Sequence, residues 1–470
     1  MLESKYSKPE FNPYENDDLV LGDDPAAWPA PRATGPLSAT VSIPGSKSLT
    51  ARELVLAALA DGPSRLRSPL FSRDTSLMVE ALRALGVDIR EIDGNGEFGP
   101  DLLVTPGELS GGTTIDCGLA GTVMRFVPPL AALALGPVAF DGDAAARKRP
   151  MRPVLDSLIA LGVDVSDDGR RTLPFSLYGT GSVTGGRLDI DASVSSQFIS
   201  AFLLVGARFE QGLELHLVGD RVPSEPHIDM TIATLAARGV TVTKPARGVW
   251  AVGPGPISAL DVAIEPDLSN AAPFLAAALV AGGTVTVDGW PAQTTQVGAE
   301  LERLLPLFGA AVTRTATTLT VDGGVGVIGG APLTGIDLDL SEGGELAPAL
   351  VALAAFGESP SRITGIGHLR GHETDRLAAL VHELNALGGD ASELDDGIEV
   401  RPRPLIGGEW KSYEDHRIAT AGAIIGLGVD GVTVENIATT AKTLPEFVEL
   451  WEGLTHPSTG ARDPLALGLL

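Results

Sequence analysis

One pattern recurs along the chain about every 75 residues, and no other feature constrains its fold as strongly. A polar or glycine start, an Ala/Leu-rich helical stretch, a glycine break and a Val/Ile/Leu strand follow one another six times. The copies begin near Ser48, Gly121, Ser196, Ser269, Gly344 and His416, with successive spacings of 73, 75, 73, 75 and 72 residues. A second phrase runs between them: Ala84-Leu85-Gly86-Val87, Ala160-Leu161-Gly162-Val163 and Ala237-Arg238-Gly239-Val240, with weaker copies around Gly309 and Gly388. A glycine just past a helix end takes the left-handed conformation that closes it. The pattern predicts six similar α/β units in two halves of three, the first from about 46 to 265. Each unit carries more strands than a simple alternation needs. That argues against a doubly wound sheet and against an eight-unit barrel. The Ala-rich helices, such as Leu275–Ala281, are apolar nearly all round and are expected to be buried.

Charge bounds the partners. With 34 Lys+Arg against 60 Asp+Glu, the formal net charge is −26. Such a chain lacks the cations that nucleic acids or anionic membranes demand, so neither is expected as a partner. Small anions stay open, because a local cluster overrides a global field. The single cysteine, Cys117, excludes an intrachain disulfide and suits a reducing cytoplasm. The longest apolar run, Ala271–Ala281, is too short to span a membrane. Met1–Asp24 holds seven acids and two lysines and no apolar core of a signal peptide. Residues 1–35 are read as a mobile acidic tail.

The unusual residues sit at the starts of the repeated helices: Ser46-Lys47-Ser48 with Arg52, Gly121-Thr122 with Arg125, Ser195-Ser196-Gln197, Gly343-Gly344-Glu345 and Asp415-His416-Arg417. Each Ser alone reads as an ordinary N-cap. Cations recurring at equivalent starts, in a chain short of cations, read as an anion site built on helix N-termini. Two motifs fail. Gly45-Ser46-Lys47-Ser48 lacks the glycines of a P-loop, and His372-Glu373-Thr374-Asp375-Arg376 has Arg where a zinc-protease helix needs its second His. No metal site follows, and Cys117 reads as a small core residue.

Taken in order, these motifs resemble the 3-phosphoshikimate 1-carboxyvinyltransferase (5-enolpyruvylshikimate-3-phosphate synthase) family over about residues 37–453. The phrases are Pro-Gly-Ser-Lys-Ser at 44–48, Ala-Gly-Thr at 120–122 with Arg125, Arg147 with Arg149-Pro150, and Ser-Val-Ser-Ser-Gln-Phe at 193–198. Glu-Thr-Asp-Arg-Leu at 373–377, Asp-His-Arg at 415–417 and Ala-Lys-Thr at 441–443 complete the set. The resemblance implies a two-domain inside-out α/β barrel of six βαβαββ repeats. Residues 46–265 would form one domain, and 36–45 with 266–470 the other.

It also implies transfer of the enolpyruvyl group of phosphoenolpyruvate to the 5-hydroxyl of shikimate 3-phosphate, in aromatic amino acid biosynthesis. No cofactor is implied, the chain would be a monomer, and glyphosate would be an inhibitor. Lys47, Ser48, Arg52, Ser195, Ser196, Gln197, Ser224, Glu345 and His372 match shikimate 3-phosphate contacts. Lys47, Gly121, Arg125, Arg147, Gln197, Arg376, Arg417 and Lys442 match the phosphoenolpyruvate side. Glu345, Glu373, Lys47, Lys442 and His416 match the catalytic set. Two points stay open: Arg149 competes with Arg147, since the alignment there slides by two residues, and His372 stands where many members have Lys. The sister transferase acting on UDP-N-acetylglucosamine and an inactive anion-binding scaffold are the competing readings. The first usually carries a reactive Cys in a mobile loop, whereas Cys117 precedes a helix start.

Overall fold

The computed structural model describes residues 27–219 and 221–455. Each of the six units contributes two helices. The first has α1 (Lys47–Ala58) and α2 (Arg73–Ala84), the second α3 (Gly121–Ala131) and α4 (Arg152–Ala160), the third α5 (Gln197–Gly206) and α6 (Pro226–Ala237). The fourth has α7 (Leu268–Ala281) and the short α8 (Leu301–Leu304), the fifth α9 (Ala347–Ala354) and α10 (Arg376–Ala386), the sixth α11 (His416–Gly428) and α12 (Phe447–Thr455).

Odd and even helices differ as their sequences require. α3, α7 and α9 are buried along their whole length, α5 and α11 nearly so. A helix apolar all round must be surrounded by protein. α1, α3 and α5 pack on one another, as do α7, α9 and α11. The even helices bury one face only; α4, for example, buries Val154, Leu155, Ser157 and Leu158. The five repeat glycines behave as predicted: Gly86, Gly162, Gly239, Gly309 and Gly388 all have positive φ, between 80° and 108°.

Among the described residues, five sheets have four strands in one common order, and the sixth has three. In each four-stranded sheet a parallel pair continues into an antiparallel hairpin, as in 113–116 parallel to 135–141, then 175–180, then 164–166. Two pairings close the halves. Asp261–Ala263 lies parallel to Ser64–Arg67 of the first unit. Leu37–Val41, from the start of the chain, lies parallel to Gly283–Asp288 of the fourth. Two separate cores result. One runs from Ala51 to Ile257, and the other joins Ala33, Leu37, Val41 and Ile43 to residues 268–454.

The chain passes between the two cores at adjacent points. Gly45 bridges Pro266, Ser46 N–H donates to the Glu265 carbonyl at 2.7 Å, and Asp267 N–H donates to the Pro44 carbonyl at 2.9 Å. A Cβ on Gly45 would lie 2.4 Å from the Ser68 carbonyl oxygen, so only glycine permits this approach.

The expected tail is shorter than 35 residues. Trp28–Pro29 pairs antiparallel with Thr433 and Val434, Ala33 is buried, and Trp28 meets Phe447 edge-on at 6.5 Å. The reason is apolar: Trp28 and Ala33 have a core to bury into, which the proline count alone did not reveal. Residues 1–26, which carry most of that expectation, lie outside the described residues.

Candidate active site

Helix N-termini from both halves converge on one cavity of about 350 Å³. On the first side, Ser46 caps α1 by accepting from Leu49 N–H, which puts Lys47 and Ser48 in the first turn and Arg52 one turn later. Lys47 Nζ lies 3.3 Å from Asp74 Oδ2, and its backbone N–H donates to Asp267 Oδ2 at 3.1 Å. Arg52 is buried over the Phe126 ring and donates to Thr231 Oγ1 at 2.8 Å, the Ser48 carbonyl at 2.9 Å and the His227 carbonyl at 3.0 Å. At the α3 start, Arg125 donates to Gln197 Oε1 at 3.1 Å, and Arg149 donates to the Leu119 carbonyl at 3.1 Å. Ser195, Ser196 and Ser224 line the same wall.

The opposite wall holds the acids. Asp415 caps α11, and Arg376 grips it from α10 through Nε at 2.7 Å and Nη2 at 3.2 Å. Glu373 accepts from Arg376 Nη2 at 3.0 Å and from Lys442 Nζ at 2.5 Å. Lys442 also reaches the Leu119 carbonyl across the cleft at 3.4 Å. Glu345 accepts from the Ser269 hydroxyl and sits 3.5 Å from His227 Nε2. Arg417 donates to the Ser269 carbonyl at 2.6 Å. His372 and His416 complete the wall.

The charges are unbalanced in an informative way. Arg52, Arg125, Arg149 and Arg417 are all at most 9% exposed, and none has a carboxylate partner among the described residues. Among the described residues, Arg125 Nε and Arg149 Nε have no hydrogen-bond partner. Buried unpaired cations are costly, so a site that keeps four of them is built for anions. A Cβ at Gly121 would stand 2.6 Å from Arg125 Nη1 and 3.1 Å from Arg149 Nη2, so glycine leaves these guanidiniums room to face the cavity.

The same field sets the acids and imidazoles. Burial pushes the Glu345 carboxyl up, but His227, Arg417 and the Ser269 hydroxyl outweigh it and hold it well below the usual carboxylate range. Glu373 is likewise held low, against burial, by Lys442, Arg376 and Arg149. Burial, then nearby cations, lowers His368 to about 4 and lowers His372 and His416 well below their ordinary value. These three rings are neutral at pH 7.

The structure places one expected ligand away from the cavity. Arg147 is 52% exposed and holds Asp141 through Nε at 2.9 Å and Nη2 at 2.7 Å, outside the cavity. A 3₁₀ turn over Ala146–Lys148 sends residue 147 outward and brings Arg149 inward. The other expected residues all meet at the cleft; Lys442 reaches it from behind Glu373. Sequence reasoning missed His227, Asp267, Ser269 and Gln296, which also line it. His227 follows Ser224 by three residues on a proline-started helix, and Asp267 is the N-cap of α7, so both carried a local signal.

A family model described as EPSP synthase (3-phosphoshikimate 1-carboxyvinyltransferase) matches residues 31–451. A curated 3-phosphoshikimate 1-carboxyvinyltransferase from Kocuria rhizophila is 56% identical over 433 residues, covering 91% of this chain and 96% of that protein. Among solved structures, an EPSP synthase from Acinetobacter baumannii matches with a TM-score of 0.74 at 24% identity, over 91% of this chain and 97% of that one. The enolpyruvyl transferase NikO from Streptomyces tendae shares the fold, with a TM-score of 0.69 at 19% identity, over 90% and 96%.

Proposed function

The chain belongs to the EPSP synthase (3-phosphoshikimate 1-carboxyvinyltransferase) family, and from that membership we infer how it works. It transfers the enolpyruvyl group of phosphoenolpyruvate to the 5-hydroxyl of shikimate 3-phosphate and releases phosphate. The observation that carries the reading is the set of four buried guanidiniums without carboxylate partners. The two substrates bring two phosphates and two carboxylates, whose mutual repulsion in a closed cleft must be offset by fixed cations. Arg52, with Ser195, Ser196, Ser224 and His372, serves shikimate 3-phosphate. Arg125, Arg149 and Arg417, with Gln197 beside Arg125 and Arg376 behind them, serve phosphoenolpyruvate, and Lys47 reaches both.

In the addition step the 5-hydroxyl oxygen bonds to C2 and loses its proton, while the C2–C3 electron pair takes a proton at C3. In the elimination step the C2–phosphate bond breaks and C3 returns a proton. Glu345 accepts the hydroxyl proton. Its carboxylate is a weak base while Arg417 faces it unopposed, and a bound anion that draws on that cation raises its basicity. Glu373 faces C3. It is held ionised, so the proton it passes on comes from Lys442 behind it, and it takes the proton back in elimination. His416, neutral and buried beside it, supports the same exchange.

Each core serves as one domain, and closure between them keeps water from the tetrahedral intermediate. Every group named belongs to one chain, so a monomer suffices. Among the described residues no helix is long and apolar enough to cross a membrane, and the free thiol Cys117 suits the cytoplasm. Glyphosate, a phosphonate with a carboxylate, fits the phosphoenolpyruvate side beside Gly121.

Phosphate release from phosphoenolpyruvate tests the reading. Release dependent on shikimate 3-phosphate, and absent with UDP-N-acetylglucosamine, is expected. No release with the first acceptor overturns it.

A further inference from the structure

The turn ahead of α11 is unusual. Tyr413 and Glu414 both have left-handed backbones, with φ of 54° and 56°, in a chain where glycines supply most such positions. Side chains with a Cβ avoid this region, so two in succession persist only where surrounding structure enforces them. The turn ends on Asp415, whose carboxylate caps α11 and holds Arg376.

Its other end is held by one buried carboxylate. Glu383 is 1% exposed and lies two turns after Arg376 on α10. Its Oε2 accepts from Lys411 N–H at 2.9 Å, and its Oε1 accepts from the Tyr413 hydroxyl at 2.5 Å, with His382 Nδ1 at 2.8 Å. Burial and that carboxylate raise the Tyr413 phenol above its usual value, so it stays a donor. A single helix therefore fixes both ends of the turn, through Glu383 at the start and Arg376 at the finish.

We propose that Glu383 and Tyr413 are positioning residues for the phosphoenolpyruvate side of the cleft. They hold the left-handed turn that delivers Asp415 to Arg376 and orients the helix start bearing His416 and Arg417. Neither lines the cavity, so they act only through those residues. This rests on the assignment of that side of the cleft given above.

Steady-state kinetics of the full chain test it. Tyr413→Phe should raise KM for phosphoenolpyruvate about tenfold while KM for shikimate 3-phosphate stays within about twofold. Glu414 is exposed, and Asn tolerates the left-handed region better than Glu. Adding Glu414→Asn to Tyr413→Phe should therefore bring the phosphoenolpyruvate constant back to within about threefold of wild type. Glu383→Gln should behave as Tyr413→Phe does; if it does not fold, the tyrosine pair of variants decides alone. An unchanged phosphoenolpyruvate constant, an equal rise of both constants, or no recovery in the double variant overturns the proposal. An inactive wild type would instead overturn the underlying assignment.

Discussion

Arg147 and Arg149 are two residues apart and have opposite fates. Their difference is decided by Asp141, which takes Arg147 as a surface partner at 2.7 Å. Exposed pairs contribute little, so Arg147→Ala should change kcat/KM less than about twofold. Arg149→Ala should raise KM for phosphoenolpyruvate about a hundredfold, equivalent to roughly 3 kcal/mol of lost contact to an anion. Comparable effects of the two variants would sink the assignment. Most of the cleft was legible residue by residue, because Lys47, Gly121, Glu345 and Arg417 sit at helix starts whose chemistry shows in sequence. The Arg147/Arg149 choice was not, because which arginine faces out depends on Asp141, six residues before Arg147, taking its side chain. The neutral histidines add a pH effect. His368 has a folded value of about 4 against an unfolded value near 6.5, so the unfolded chain binds the proton first. Stability is then full above about pH 6.5 and falls as pH drops toward 4, with His368 alone costing roughly 2 kcal/mol at pH 5. Urea midpoints at pH 7.5 and pH 5 should show the fall, and His368→Asn should reduce it.

Elements were read more securely than their partners. Helix starts and the glycines that end helices follow local rules, and both appeared where the repeat put them. The fourth unit is the exception: Val297–Phe308 breaks into 3₁₀, α and 3₁₀ turns, with Pro306 inside the last. Sheet neighbours were less visible, because pairing is set by packing at long range. The Trp28 strand, read as tail, shows this. Asp267 links element to site: Oδ1 caps α7 through Ser269 and Asn270 N–H, and Oδ2 holds the start of α1. Asp267→Ala should cost about 1–2 kcal/mol, the usual loss for a cap. Asp267→Asn keeps the oxygen that caps α7 but sets its amide N–H against Lys47 N–H, so it should lose stability, though less than Asp267→Ala. Denaturation midpoints of the two variants check this, and equal losses would remove the cap from the explanation.

Across the whole molecule the net charge of −26 and a cationic cleft coexist because seven Lys and Arg, against three carboxylates, line that one cavity. Among the described residues, three polar contacts span the cleft beyond the crossing strands: Lys442 to the Leu119 carbonyl, Ser224 N–H to the Ser341 carbonyl, and His227 to Glu345. A ligand held by Arg52 on one half and Glu345 on the other should draw the halves together and prepay closure for the second ligand. Shikimate 3-phosphate should therefore tighten phosphoenolpyruvate binding, and the thermal shift with both should exceed the sum of the separate shifts. Additive shifts would argue for a preformed cleft. The pairing of Leu37–Val41 with Gly283–Asp288 also sets a timetable. During synthesis the first core can close as soon as residues 46–265 have emerged from the ribosome. The opening strand, although made earlier, must wait beside it with an unpaired edge until the fourth unit arrives. Pulse proteolysis of stalled nascent chains should find the first core protected well before residue 37 is.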